Sequence, residues 1–153
     1  MGTALALDQR RREAWELLAR FLSGTPAETL ALTLTLEPRE SDYERVFLGD
    51  AAARAREGYR GLWSSPVAPL PREGQTTIMV TAAPAAELQL GTERSLAFPG
   101  GYRKVAHHLA PDLVWVTWKY TRPGDHIGMA WDGLVWVDDH WAWFPKAWRV
   151  LGD

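Results

Sequence analysis

Residues Leu113–Trp148 read LVWVTWKYTRPGDHIGMAWDGLVWVDDHWAWFPKAW and carry seven of the chain's nine tryptophans. Three turn signals divide them: Pro123-Gly124, Asp132-Gly133 and Asp138-Asp139. Asp-Gly is a preferred pair for a two-residue hairpin turn with positive φ at both central residues, and Pro-Gly suits a type II turn in a longer loop. Strand residues alternate between faces, so each turn sets which residues stand opposite one another. Hairpins centred on the three turns pair Val116 with Trp131, Trp118 with Met129 and Tyr120 with Ile127. They then pair Trp131 with Leu134 and Met129 with Trp136, and finally Trp136 with Trp141 and Leu134 with Trp143. Every one of these large residues falls on the same face. The segment therefore predicts four short strands in a curved antiparallel meander. The competing reading of Asp132-Gly133 is a bulge inside one longer strand, which lowers the strand count while leaving room for the aromatic face.

The opposite face would hold Trp115, Thr117, Lys119, Gly128, Ala130, Val135, Val137, His140, Ala142 and Phe144, a smaller and partly polar set. One face needs a cover of helices, and the first half of the chain has the stripes to provide it. From Asp8 to Leu22, Ala14, Trp15, Leu17, Leu18, Phe21 and Leu22 recur at three- and four-residue spacing. Ser23-Gly24 ends that helix, and Thr25-Pro26-Ala27-Glu28 reads as a capping box with proline at the first helical position. Leu30, Leu32, Leu34 and Leu36 alternate like a strand, but the cap favours a continued helix until Pro38. Ser41 and Glu44 read as a second capping box ahead of Tyr43, Val46 and Phe47. A helix over about 51–63, capped by Asp50, turns Ala52, Ala55, Tyr59 and Leu62 to one side. The Pro66, Pro69 and Pro71 stretch is an extended connection. Thr76–Ala82 reads as a strand, Pro84–Leu90 as a short helix and Tyr102–Leu109 as another.

These elements make one domain over residues 1–153, with a helical part at about 8–63, a loop at 64–75 and a sheet-containing part at 76–151. The class is α+β, N-terminal helices packed on a curved antiparallel β-meander. In element order alone it resembles the cystatin-like and NTF2-like arrangement, which implies a cone with a pocket between sheet and helices. Such a likeness carries no function by itself.

Composition narrows the chemistry. The chain has no cysteine, which excludes disulfides, thiolate metal sites and cysteine nucleophiles. Seventeen basic and nineteen acidic residues, for a net charge of −2, are mixed along it, so nucleic acid and anionic membrane are not expected partners. No apolar run is long enough to span a bilayer, and Asp8 with Arg10-Arg11-Arg12 follows the apolar Met1–Leu7 rather than preceding it, so the expected location is cytoplasmic. No cofactor motif is present: Phe98-Pro99-Gly100-Gly101-Tyr102 lacks the lysine and serine of a phosphate loop, and none of the five serines sits in a nucleophile elbow.

Three candidate sites remain. The first is the aromatic face, where Trp118, Tyr120, Met129, Trp131, Trp136, Trp141 and Trp143 form either a filled core or the wall of a pocket for a small apolar or aromatic ligand. The second is a cluster of His126, Asp139 and His140, brought together by the predicted register, which could serve an enzyme or a metal; His107 and His108, being adjacent, would diverge on a helix. The third is the Phe144–Arg149 tail, whose aromatic and cationic residues would contact a partner or protect a sheet edge, and which, with the sheet, makes a homodimer the second functional expectation.

Overall fold

The computed structural model of the protein describes residues 2–152. An antiparallel sheet of order β1-β2-β3-β4 is built from β1 (Thr77–Pro84), β2 (Val114–Thr121), β3 (Met129–Val137) and β4 (His140–Trp143). Helices pack against it, α1 (Gly2–Ala19), α2 (Pro26–Leu34), α3 (Glu40–Val46) and α4 (Asp50–Ser64) preceding the sheet in the chain. The shorter α5 (Glu93–Leu96), α6 (Gly101–Val105) and α7 (Ala147–Leu151) are interleaved with the strands or follow them. The class is α+β, with N-terminal helices on an open antiparallel sheet. Among the described residues no helix is long and apolar enough to cross a membrane.

The local signals act mostly as their chemistry requires. At the start of α2 the Glu28 N–H donates to Thr25 Oγ1 and the Thr25 N–H donates to Glu28 Oε1, both at 3.1 Å. The helix then continues through the alternating leucines to Leu34. At 3.6 residues per turn, Thr29, Leu32, Thr33 and Leu36 share the inner side, so Leu30 and Leu34 stay exposed despite being apolar. Buried Thr33 satisfies its hydroxyl by donating to the Thr29 carbonyl at 2.8 Å. In α1, Ala14 and Leu18 are buried, with Phe21 in the 3-10 turn that follows, whereas Trp15 lies 44% exposed on the flank of the expected stripe. The Ser41–Glu44 capping box does not form. α3 begins earlier, and the Arg39 N–H donates to Asp42 Oδ2 at 2.8 Å, while Tyr43, Val46 and Phe47 are buried as expected. The helix expected over Pro84–Leu90 is reduced to a 3-10 turn at Ala85–Glu87, and that over Tyr102–Leu109 divides into α6 and a 3-10 turn at Ala106–His108.

The sheet corrects the strand count. Asp132-Gly133 is not a hairpin: Met129–Val137 is one strand, and the register against β2 shifts where Val116 faces Leu134 and Thr117 faces Asp132. Gly133 is the extra residue of a bulge, at φ +92°. The fourth strand is β1, which lies beside β2. The first hairpin accordingly pairs Trp118 with Trp131 and Tyr120 with Met129, two residues away from the expected register. The last hairpin pairs Trp136 with Trp141 and Leu134 with Trp143 as read from the sequence. The aromatic face survives because bulge and hairpin have the same effect on alternation: each leaves Trp131 and Leu134 on one side.

Helices cover both faces. Ala14, Leu18 and Phe21, with Leu32 and Leu36 after them, pack on Val116, Trp118, Tyr120, Leu134 and Trp143. On the other face α3, α4, α6 and α7 enclose Trp115, Val135, Val137, Ala142 and Phe144. That face, expected to be the smaller and partly polar one, carries the larger core. Small residues explain how α4 approaches it: Ala51, Ala52 and Ala55 are buried, and Tyr59 reaches over Phe144 with ring centroids 5.7 Å apart.

A side chain at position 133 has no room, since a Cβ there would stand 2.1 Å from the Phe144 carbonyl oxygen. Gly133→Ala is therefore expected to destabilise the protein by more than about 2 kcal/mol, combining an unfavourable φ with a backbone clash. Gly124, at φ +85° with nothing near its Cβ position, isolates the φ effect, and Gly124→Ala should cost only about 1 kcal/mol. Urea unfolding of both variants measures the difference.

Candidate functional site

β4 pairs with Leu134–Val137 alone, so the Met129–Asp132 half of β3 is bonded to β2 on one side and, among the described residues, has no strand on the other. Beside that edge lies an open cavity of about 400 Å³, lined by Tyr59 and Leu62 of α4, Val67 of the proline-rich loop, Trp143, and Lys146, Arg149 and Val150 around α7. Its β3 wall is Met129, Ala130, Trp131 and Asp132. Both tryptophans are fixed by their own N–H groups: Trp131 Nε1 donates to the Leu70 carbonyl at 3.3 Å and Trp143 Nε1 to the Asp132 carbonyl at 2.8 Å. Their rings meet edge to face, with centroids 6.2 Å apart.

Asp132 is the polar centre of this region. Its side chain is 6% exposed, and Oδ1 accepts hydrogen bonds from the Tyr102 hydroxyl at 2.5 Å and the Lys146 N–H at 2.8 Å. Burial pushes its carboxyl above the ordinary carboxylate range, opposed by these two bonds and by the charges of Lys146 and Arg149. Burial likewise raises the Tyr102 and Tyr59 hydroxyls well above the usual phenol value. The Tyr59 hydroxyl donates to the Pro145 carbonyl at 2.9 Å, which ties α4 to the start of the C-terminal turn.

The predicted aromatic site divides. Met129, Trp131 and Trp143 line the cavity. Trp118 and Tyr120 are buried under α1, the Tyr120 hydroxyl donating to the Leu18 carbonyl at 2.8 Å. Trp136 and Trp141 pack against each other near the far end of β3, with the Arg10 guanidinium 4.3 Å from the Trp136 ring centroid. Tyr59, Asp132 and Lys146 escaped the sequence reading as site residues. Asp132 looked like a turn residue, and only its burial next to a bulge marks it out. The Phe144–Arg149 tail is not a free aromatic surface: Phe144 is fully buried, and Trp148 packs on Tyr102 with centroids 5.2 Å apart.

The histidine cluster also divides. His140 Nδ1 lies 2.5 Å from Asp139 Oδ1, and its Nε2 lies 2.8 Å from Oδ2 of buried Asp42. His126 is exposed in the loop before β3, where its carbonyl accepts from Lys119 Nζ. With β3 continuous, His126 and Asp139 lie beyond opposite ends of a strand roughly 26 Å long at the usual rise per residue. His107 and His108 do not diverge: in the 3-10 turn at Ala106–His108 their ring centroids are 3.9 Å apart. Among the described residues no group of three or more histidines and carboxylates could hold a metal ion. Burial opposes the charged form of His140, but its bonds to Asp42 and Asp139 prevail and its pKa is raised.

Comparison with known proteins returns no matching family model, no matching curated protein and no matching solved structure.

Two outcomes follow from these contacts. Asp132→Asn keeps an oxygen for the Tyr102 and Lys146 donors and should cost less than about 1 kcal/mol, whereas Asp132→Ala strands both and should cost roughly 2–3 kcal/mol in chemical denaturation. His140, whose pKa is raised in the folded state, contributes its full stability below its unfolded value of about 6.5 and loses it as pH rises through the folded value. The stability gap between the wild type and His140→Ala should therefore narrow as pH rises above about 6.5, read from denaturation midpoints across a pH series.

Proposed function

We propose that the protein is a non-catalytic binding domain that holds a small apolar or aromatic ligand in the cavity between α4, α7 and the free edge of β3. The observation that carries this reading is the pair of tethered tryptophans in an apolar-walled cavity of about 400 Å³. The part-exposed Trp131, its N–H already bonded, offers flat apolar area with little further loss of side-chain freedom on binding, and Trp143, 2% exposed, backs it from the core. The volume lies within the usual range for small-molecule pockets. Trp131, Trp143 and Met129 would contact the ligand, with Leu62, Val67 and Val150 opposite.

The test is a thermal-shift and calorimetric screen with apolar and aromatic compounds, repeated on Ala130→Trp, which adds an indole at the exposed cavity wall. Binding to the wild type, weakened tenfold or more in the variant, is the expected outcome. The reading fails if no compound raises the melting temperature or releases heat. A second reading is self-association, favoured by the unpaired Met129–Asp132 edge, which could accept a strand from another copy. Light scattering at high concentration separates the two, because a strict monomer leaves only the ligand.

A further inference from the structure

The charges around the cavity are unevenly placed. Lys146 and Arg149 stand at its wall as exposed cations, and neither side chain has an ion-pair or hydrogen-bond partner among the described residues. The contrast with a polar groove beside α3 and α4 is direct. There Arg56 is paired with Glu40 and lies 3.7 Å from Glu44, and Arg60 pairs with Glu57 at 2.9 Å, so the charges are matched within the protein. Among the described residues the only acid in the lining is Asp132, which feels the charges of Lys146 and Arg149 and has one oxygen already occupied by Tyr102 and by the Lys146 backbone. The lining keeps an excess of positive charge whether Asp132 is ionised or protonated.

The cation at position 146 is also positioned by the backbone. Lys146 adopts the left-handed conformation at φ 52°, held there by its N–H bond to Asp132, which sets the direction in which the side chain leaves the chain. We propose that the ligand is an apolar or aromatic carboxylate, its anionic group paired with Lys146 and Arg149 and its apolar body laid against Trp131, Trp143 and Met129. The inference rests on the cavity being the binding site. An amine of the same shape would meet two cations and a carboxylate already bonded within the protein. A neutral compound would gain the apolar contacts but not the charge-assisted bonds.

Three probes with one apolar body separate these cases by titration calorimetry: naphthylacetate, naphthylacetamide and naphthylethylamine. The acid is expected to bind at least about tenfold tighter than the amide, equivalent to about 1.4 kcal/mol. The amine should bind more weakly than the amide. The double variant Lys146→Gln/Arg149→Gln changes only exposed side chains and keeps the Lys146 backbone bond, and it should bring the acid down to the amide. An unchanged melting temperature checks its fold. Equal binding of all three probes, preference for the amine, or an acid preference that persists in the double variant overturns the carboxylate proposal while leaving the cavity reading standing. If none of the three binds, both fall.

Discussion

The peptide of Phe144 crosses Gly133 so closely that no side chain could be placed between them. The Phe144 N–H donates to the Gly133 carbonyl at 2.7 Å, and the Phe144 carbonyl oxygen occupies the space of a Cβ at position 133. Only glycine permits this approach, and its positive φ is what lets β3 carry an extra residue without a break. The crossing ends β4 after Trp143, sends the chain away through Pro145, and leaves the lower half of β3 with β2 as its one strand neighbour among the described residues. It also turns Asp132 inward, where Tyr102 and Lys146 satisfy one of its oxygens. The cavity, its carboxylate and the two cations at its rim are all consequences of one close contact between backbones.

Around this crossing the molecule is held by two cores and by charged ties of unequal worth. The sheet is apolar on both faces, so burial on each side supplies the main driving force. Arg45 reaches from α3 to Asp112 and Asp138, each at 2.8 Å, but these carboxylates are largely exposed and such pairs contribute little. The Asp42–His140 contact differs because Asp42 is buried and also receives the Arg39 N–H. It joins the start of α3 to the turn between β3 and β4, at the end of the sheet away from the cavity. A titrating group there acts on the stability of that end, with no requirement that it affect a ligand.

The tryptophans serve separate purposes. Those at the centre of the face, Trp118 above all, are covered by α1 and Phe21, and their role is packing. Trp131 borders a cavity because β4, which would otherwise continue along its edge of the sheet, stops at the buried Trp143. A pocket at the margin of the sheet, rather than in the middle of its aromatic face, follows from where β4 ends. The helices on the opposite face complete it: Tyr59 and Leu62 belong to α4, which packs against the larger core.

Local chemistry in the sequence determined much of this protein. The Thr25–Glu28 box and Pro26 placed α2, the helical spacing of Ala14, Leu18 and Phe21 placed α1 against the sheet, and alternation within strands put the large aromatics on a common face. Each depends on residues within one or two turns of helix or across one tight turn, where neighbours along the chain set the energy. The strand count, the separation of His126 from Asp139 and the burial of Asp132 depended on the whole fold. Asp-Gly meets the backbone needs of a hairpin and of a bulge alike, since both ask for a glycine at positive φ. Tertiary contacts made the choice: β2 is long enough to pair along β3 from Met129 to Trp136, on both sides of the bulge, and Phe144, Tyr102 and Lys146 hold Asp132 and Gly133 in place. None of those partners lies within ten residues of the turn in the chain, so no local pattern could have selected the bulge or the cavity beside it.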